Sequence, residues 1–101
     1  MKFSTKIKSG KLHITIESEC ITHQDSLDEF IKTIKEHDGL PVVVDLSNVK
    51  SAGSALMNMF VIIKKEANTE ITVRNASDEI LTLLEVVGLH NIIKIEIFEE
   101  L

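Results

Sequence analysis

The sequence predicts an α/β fold: a single domain with a mixed, mostly parallel sheet, an N-terminal β-hairpin and helices packed on the sheet. Three observations predict it. Two stretches of alternating apolar and polar residues flank a Ser9-Gly10 pair near the start of the chain. Beyond them, short β-branched runs alternate with stretches of helical period, the order that crossovers in a parallel sheet require. Finally, 101 residues suit one core, a domain spanning 1–101 that buries roughly two-thirds of the surface its unfolded chain would expose.

Phe3, Thr5 and Ile7 alternate with Ser4, Lys6 and Lys8, and Leu12, Ile14 and Ile16 alternate with His13, Thr15 and Glu17. Each stretch is therefore a strand with one buried face. Gly10 tolerates positive φ, and the short connection makes the pair an antiparallel hairpin. From Gln24 to His37, Leu27, Phe30, Ile31 and Ile34 recur at i, i+3, i+4 and i+7, leaving Lys32, Lys35 and Glu36 for solvent, which is the pattern of an amphipathic helix. Gly39 follows as its C-terminal cap, and Pro41 opens the next element, where a missing N–H is tolerated. Val42-Val43-Val44 is apolar without alternation, which predicts a central strand covered on both faces. Ser47 to Ser54 reads as a polar loop of small residues and Ala55 to Glu66 as a second helix. Ile71-Thr72-Val73 is the next strand, Ser77 the N-cap of a helix over Asp78 to Val87, and Gly88 its stop. Ile92 to Phe98 closes the sheet as an edge strand running into an acidic tail.

Composition excludes several functions. Sixteen acids against 11 bases give a formal charge of -5, and no Lys/Arg cluster in the sequence makes the basic stripe that nucleic acid demands. The start of the chain has no apolar leader segment, and no apolar run approaches the roughly 18 residues of a membrane helix, so a cytoplasmic protein without direct membrane insertion is expected. Cys20 is alone, which suits a reducing compartment, and it reads as a half-buried strand or loop residue rather than a nucleophile. His13, His23, His37 and His90 are scattered without a metal-ligand spacing, so no metal is expected. Glycine-rich phosphate loops, dinucleotide fingerprints and nucleophile elbows are all missing. The expectation is a non-enzyme without a cofactor, its oligomeric state left open. Asp45, at the end of a core strand, ties down the loop that follows rather than acting as a base.

The stretch Val42-Val43-Val44-Asp45-Leu46-Ser47-Asn48-Val49 resembles the core strand of STAS domains, the module of bacterial anti-sigma factor antagonists, which ends in Asp-Leu-Ser-x-Val before a loop and helix. A second stretch, Ser77-Asp78-Glu79-Ile80-Leu81-Thr82-Leu83-Leu84-Glu85-Val86-Val87-Gly88-Leu89, is similar to the family's closing helix with its Leu-Leu-x-x-x-Gly-Leu ending. The resemblance covers the chain from about the first strand to the last. Members usually add a C-terminal helix, expected here to be short or absent because the sequence stops at Leu101.

The resemblance implies a regulatory module without chemistry of its own. In such members a kinase-like anti-sigma factor phosphorylates a Ser at the start of the second helix, and the unphosphorylated form captures that partner. The family pattern there is Asp-Ser-Ser-Gly. Aligning without gaps from Asp45 brings Gly53-Ser54-Ala55-Leu56 onto it, with Ser54 at the phosphoacceptor position. Gly53 replaces the Asp, and Glu19-Cys20-Ile21-Thr22 lacks the Asp that members often carry in that loop. Other STAS proteins are not phosphorylated and serve as subunits of a phospholipid-transport ATPase, which is the alternative partner.

Independently of the resemblance, the loop from Ser47 to Ser54 leaves the C-terminal end of a central parallel strand, where open α/β sheets place their sites. A helix N-terminus accommodates an anion, so Ser54 either caps the helix alone or caps it and carries a reversible phosphate. The second helix holds too many apolar residues for one face. If Met57, Phe60, Val61 and the stem of Lys64 pack on the sheet, Ala55, Met59, Ile62 and Ile63 make a second stripe for a partner, joined by Ser51, Gly53 and Ser54 at its start. The alternative is a helix sandwiched by the C-terminal residues.

Overall fold

The computed structural model describes residues 2–22, 27–37, 39–52, 54–67 and 69–96. Strands β1 (Phe3–Lys8) and β2 (Lys11–Ile16) form the expected antiparallel hairpin, with Lys8 opposite Lys11 at its closed end. Both turn residues adopt positive φ, Ser9 at 54° and Gly10 at 74°, which gives the two-residue turn whose twist matches that of the strands. A two-residue strand β3 (Cys20–Ile21) precedes helix α1 (Asp28–Glu36). The N-terminal part of the helix expected from Gln24 lies outside the described residues, and α1 itself starts after Leu27. Phe30 and Ile34 point into the core, and the Phe30 ring meets Phe3 edge-on at 5.2 Å.

Strand β4 (Val42–Asp45), a second short strand β5 (Ser51–Ala52) and helix α2 (Ser54–Ala67) follow. Strand β6 (Ile71–Arg74) leads into helix α3 (Asp78–Val86), a 3₁₀ turn (Leu89–Asn91) and strand β7 (Lys94–Glu96). Ser77 caps α3 as expected, its hydroxyl accepting the Ile80 N–H at 3.3 Å, and Gly88 ends the helix at a φ of 79° that side-chain-bearing residues rarely adopt. The end of the expected last strand and the acidic tail lie outside the described residues.

The main sheet runs β1-β2-β4-β6-β7, antiparallel between β1 and β2 and parallel from β2 onward. Register sets its two faces. Leu12, Ile14, Ile16, Val42, Val44, Ile71 and Val73 share one face and form the core with Leu56, Met59, Phe60 and Ile63 of α2 and Ile80 and Leu84 of α3. The opposite face is polar: Lys6, His13, Val43, Thr72 and Lys94 form one row across the five strands, and Ser4, Thr15, Asp45, Arg74 and Glu96 the next. As expected, β4 is a central strand buried on both faces: Val42, Val43 and Val44 are all buried, with Val43 on the face opposite the core cluster.

Candidate functional site

The C-terminal ends of β2, β4 and β6 gather three loops, and Asp45 binds two of them. Its Oδ1 accepts the Ser47 N–H at 2.8 Å and its Oδ2 accepts from the Asn75 side-chain amide at 3.3 Å. Asn75 sits at a φ of 57°, in the left-handed region that Asn tolerates better than most residues. The Asp at the end of the core strand therefore fixes the turn that follows, as the sequence indicated. Val49 closes this turn, its N–H on the Leu46 carbonyl at 3.0 Å and its side chain buried. Asp45→Ala removes one charge-assisted and one weaker bond and is expected to cost about 1–3 kcal/mol, with Asp45→Asn losing less. Urea unfolding midpoints check this.

Next, the Lys50 and Ser51 N–H groups both donate to the Glu19 carbonyl, at 2.8 and 3.0 Å. The chain then enters the β3–β5 ribbon, a parallel pair with Cys20 opposite Ser51 and Ile21 opposite Ala52. Ile21 is buried and anchors this ribbon to the core, whereas Cys20 is exposed rather than half-buried as expected. The Lys50–Glu19 ion pair at 3.4 Å is solvated and adds little.

α2 starts directly beyond the ribbon, with Ser54 exposed as its first residue. Gly53 lies outside the described residues. The first turn of α2 contains no acid, whereas α1 opens with Asp28 and Glu29 and α3 with Asp78 and Glu79. The positive end of its dipole is thus left without a neutralising side chain of its own. Along α2, Ser54, Asn58, Val61 and Lys65 are exposed and Ile62 is half-buried, one outward row at helical spacing. Ile62 continues into an open groove of about 600 Å³ between α1 and α2, lined also by Ile31 and rimmed by Asp28, Lys32, Lys35, Glu36 and Glu66. Lys35 and Glu66 pair across the two helices at 3.1 Å.

The expected second stripe on α2 is corrected. Ala55, Met59 and Ile63 lie in the core, Met59 at 0% and Ile63 at 1% exposure, while Val61, expected on the sheet, is 46% exposed. The reason is helical phase. Anchoring Leu56, Phe60 and Ile63 on the sheet carries Met59 inward with them and turns positions 54, 58, 61 and 65 outward. Polar Asn58 and Lys65 mark that outward row in the sequence. Ser51 and Ser54 remain exposed at the ribbon–helix junction, and Asn58, Val61 and Ile31 join them as surface residues that the sequence reading did not select.

A family model described as "Mlab, STAS domain" matches residues 5–96. The chain belongs to the STAS domain family. Two solved structures share the fold of this STAS domain. An anti-sigma-factor antagonist (STAS) domain protein from Planctomyces limnophilus superposes with a TM-score of 0.76 at 12% identity, over 93% of this chain and 87% of that one. A putative anti-sigma factor antagonist from Thermotoga maritima gives 0.70 at 18% identity, over 95% of this chain and 86% of that one. No curated protein matches this chain. Within the STAS frame, Asp45-Leu46-Ser47 is the strand end whose carboxylate holds the loop, and Gly88-Leu89 the turn that closes α3. Among the described residues, no helix is long and apolar enough to cross a membrane, and no group of three metal-ligating side chains converges.

Proposed function

We propose that this STAS domain is a non-catalytic switch in the cytoplasm of a bacterium that captures another protein through the exposed start and outward row of α2, in the manner of an anti-sigma factor antagonist. The observation that carries this reading is the placement of Ser54 on the same helix row as Asn58 and the apolar residues Val61 and Ile62. Seven residues of helix set Ser54 about 10 Å from Val61, well within one protein interface. A phosphate on Ser54 adds about -1.5 to -2 charges. The helix N-terminus, with no acid in its first turn, accommodates it, so the fold is little disturbed, but a partner covering the row has to desolvate it. Phosphorylation by a kinase-like anti-sigma factor then releases that partner and so regulates transcription.

A second reading, a non-phosphorylated subunit docked on a phospholipid-transport ATPase, is favoured by Gly53 standing where the phosphorylated pattern has Asp. It uses the same helix row without the switch. Capture of the partner from native lysate separates the two. On the first reading a kinase-like protein is recovered, Ser54→Asp weakens its binding at least tenfold, Ser54→Ala binds like wild type, and phosphoserine is found at Ser54 in the native protein. Recovery of a transport ATPase that binds Ser54→Asp as tightly as wild type leaves the second reading in its place.

A further inference from the structure

The chain's charge is segregated in a way its total conceals. The first sixteen residues hold Lys2, Lys6, Lys8 and Lys11 and no acid, so the rest of the chain carries all sixteen acids. Pleat and register then put Lys6, Lys8, Lys11 and His13 together on the open face of the sheet, at the hairpin end. None of these four has an ion-pair partner among the described residues. The acids nearest to them are occupied. Glu70 is bonded to Lys94 at 2.6 Å; this hydrogen bond and the Lys94 charge hold its carboxyl below the usual carboxylate range, with Lys11 and Lys64 assisting from farther away. In the next row, Glu96 faces Arg74 at 3.4 Å and Asp45 is turned into its two loop bonds. The helical layer is net acidic, with Asp28, Glu29 and Glu36 on α1, Glu66 on α2 and Asp78, Glu79 and Glu85 on α3 outnumbering Lys32, Lys35, Lys64 and Lys65.

Lysines on an edge strand guard against edge-to-edge pairing, which accounts for Lys6 and Lys8 on β1. It does not account for Lys11 and His13 on β2, which is paired on both sides. We infer that this cationic half of the open sheet face is a docking surface for an anionic lipid membrane. The face suits a lipid surface better than the alternatives. Its hairpin half offers lysine point charges on flexible stems and no Phe, Tyr or Trp rings to stack on bases, and the one guanidinium of the face, Arg74 in the next row, is engaged by Glu96. The concavity of this face, about 220 Å³ beside Lys6 and His13, is lined mainly by polar side chains and offers no apolar seat for a protein partner. Repulsion from the acidic layer does not cancel the attraction, because the molecule is 24 Å through its thinnest dimension and the Debye length is about 8 Å at physiological salt. The cationic residues lie at the opposite end of the strands from Ser54, so a docked molecule keeps the outward row of α2 open.

The test is co-sedimentation of the protein with vesicles of phosphatidylcholine alone and with phosphatidylglycerol mixed in, at low and raised salt. Binding to the anionic vesicles only, weakening with salt, is expected. Each of Lys6→Gln, Lys8→Gln and Lys11→Gln should lower it about fivefold, the effect of roughly 1 kcal/mol per surface lysine. Lys65→Gln on α2 changes net charge equally from the other layer and should leave binding unchanged. All four residues are exposed, so melting temperatures should be unaltered. Equal partition to both vesicle types overturns the inference, as does a triple lysine variant that binds like wild type or a loss from Lys65→Gln as large as from Lys8→Gln. Capture of an acidic protein by the hairpin lysines, with no vesicle binding, overturns it too.

Discussion

Substituting Met59 by Glu is expected to unfold the domain, although the substitution lies on the helix that carries the proposed binding row. Met59 is fully buried beside Leu56, Phe60 and Ile63. A carboxylate there has no partner and no water, and either the charge or the proton needed to neutralise it costs several kcal/mol. A domain of this size holds only about 5–15 kcal/mol in total. Ile63→Glu should behave in the same way. Met59→Leu keeps the volume and is expected to cost under about 1.5 kcal/mol, and Asn58→Glu, one residue away and exposed, under about 0.5 kcal/mol. Circular dichroism and urea titration of the four variants check this. A folded Met59→Glu domain would mean that α2 is rotated from the phase described.

Val61→Glu combined with Ile62→Glu is expected to have the opposite signature, a folded domain that no longer captures its partner. Val61 is exposed and Ile62 half-buried at the mouth of the α1–α2 groove, so charges there remain solvated in the free protein. In the complex they have to be stripped of water against an apolar partner surface. Losing a hot-spot residue at the centre of an interface costs about 2 kcal/mol or more, so two unpaired carboxylates in the middle of the row should lower affinity about thirtyfold. Titration of the captured partner with the double variant, alongside its unfolding curve, measures both halves. Undiminished affinity would move the binding surface off α2.

Much of the fold was legible because single faces wrote it. Leu12, Ile14 and Ile16 alternate strictly, Phe30 and Ile34 keep helical spacing, and Ser77 and Gly88 punctuate α3 with a cap and a positive-φ stop. The site was legible in location and less so in detail. α2 is apolar on nearly three sides, so composition alone could not fix its phase, and only the polar residues Asn58 and Lys65 betray the outward row. The β3–β5 ribbon escaped for another reason: two residues make no period, and its bonds join segments about 30 residues apart. The uniform valines of β4 marked a central strand, and all three are buried, Val43 on the face opposite the core cluster.

That ribbon has an evolutionary consequence. The segment that leads into α2 is held to Glu19 through main-chain groups, with Lys50 and Ser51 donating to one carbonyl and the short parallel pair continuing beyond them. Any residue except proline at 50 or 51 can supply those donors. The side chains of Glu19, Cys20, Lys50 and Ser51 all face solvent and are therefore released from holding the scaffold. They form a small solvent-facing panel beside the helix start, where side chains are free to change without the domain having to relearn how to fold.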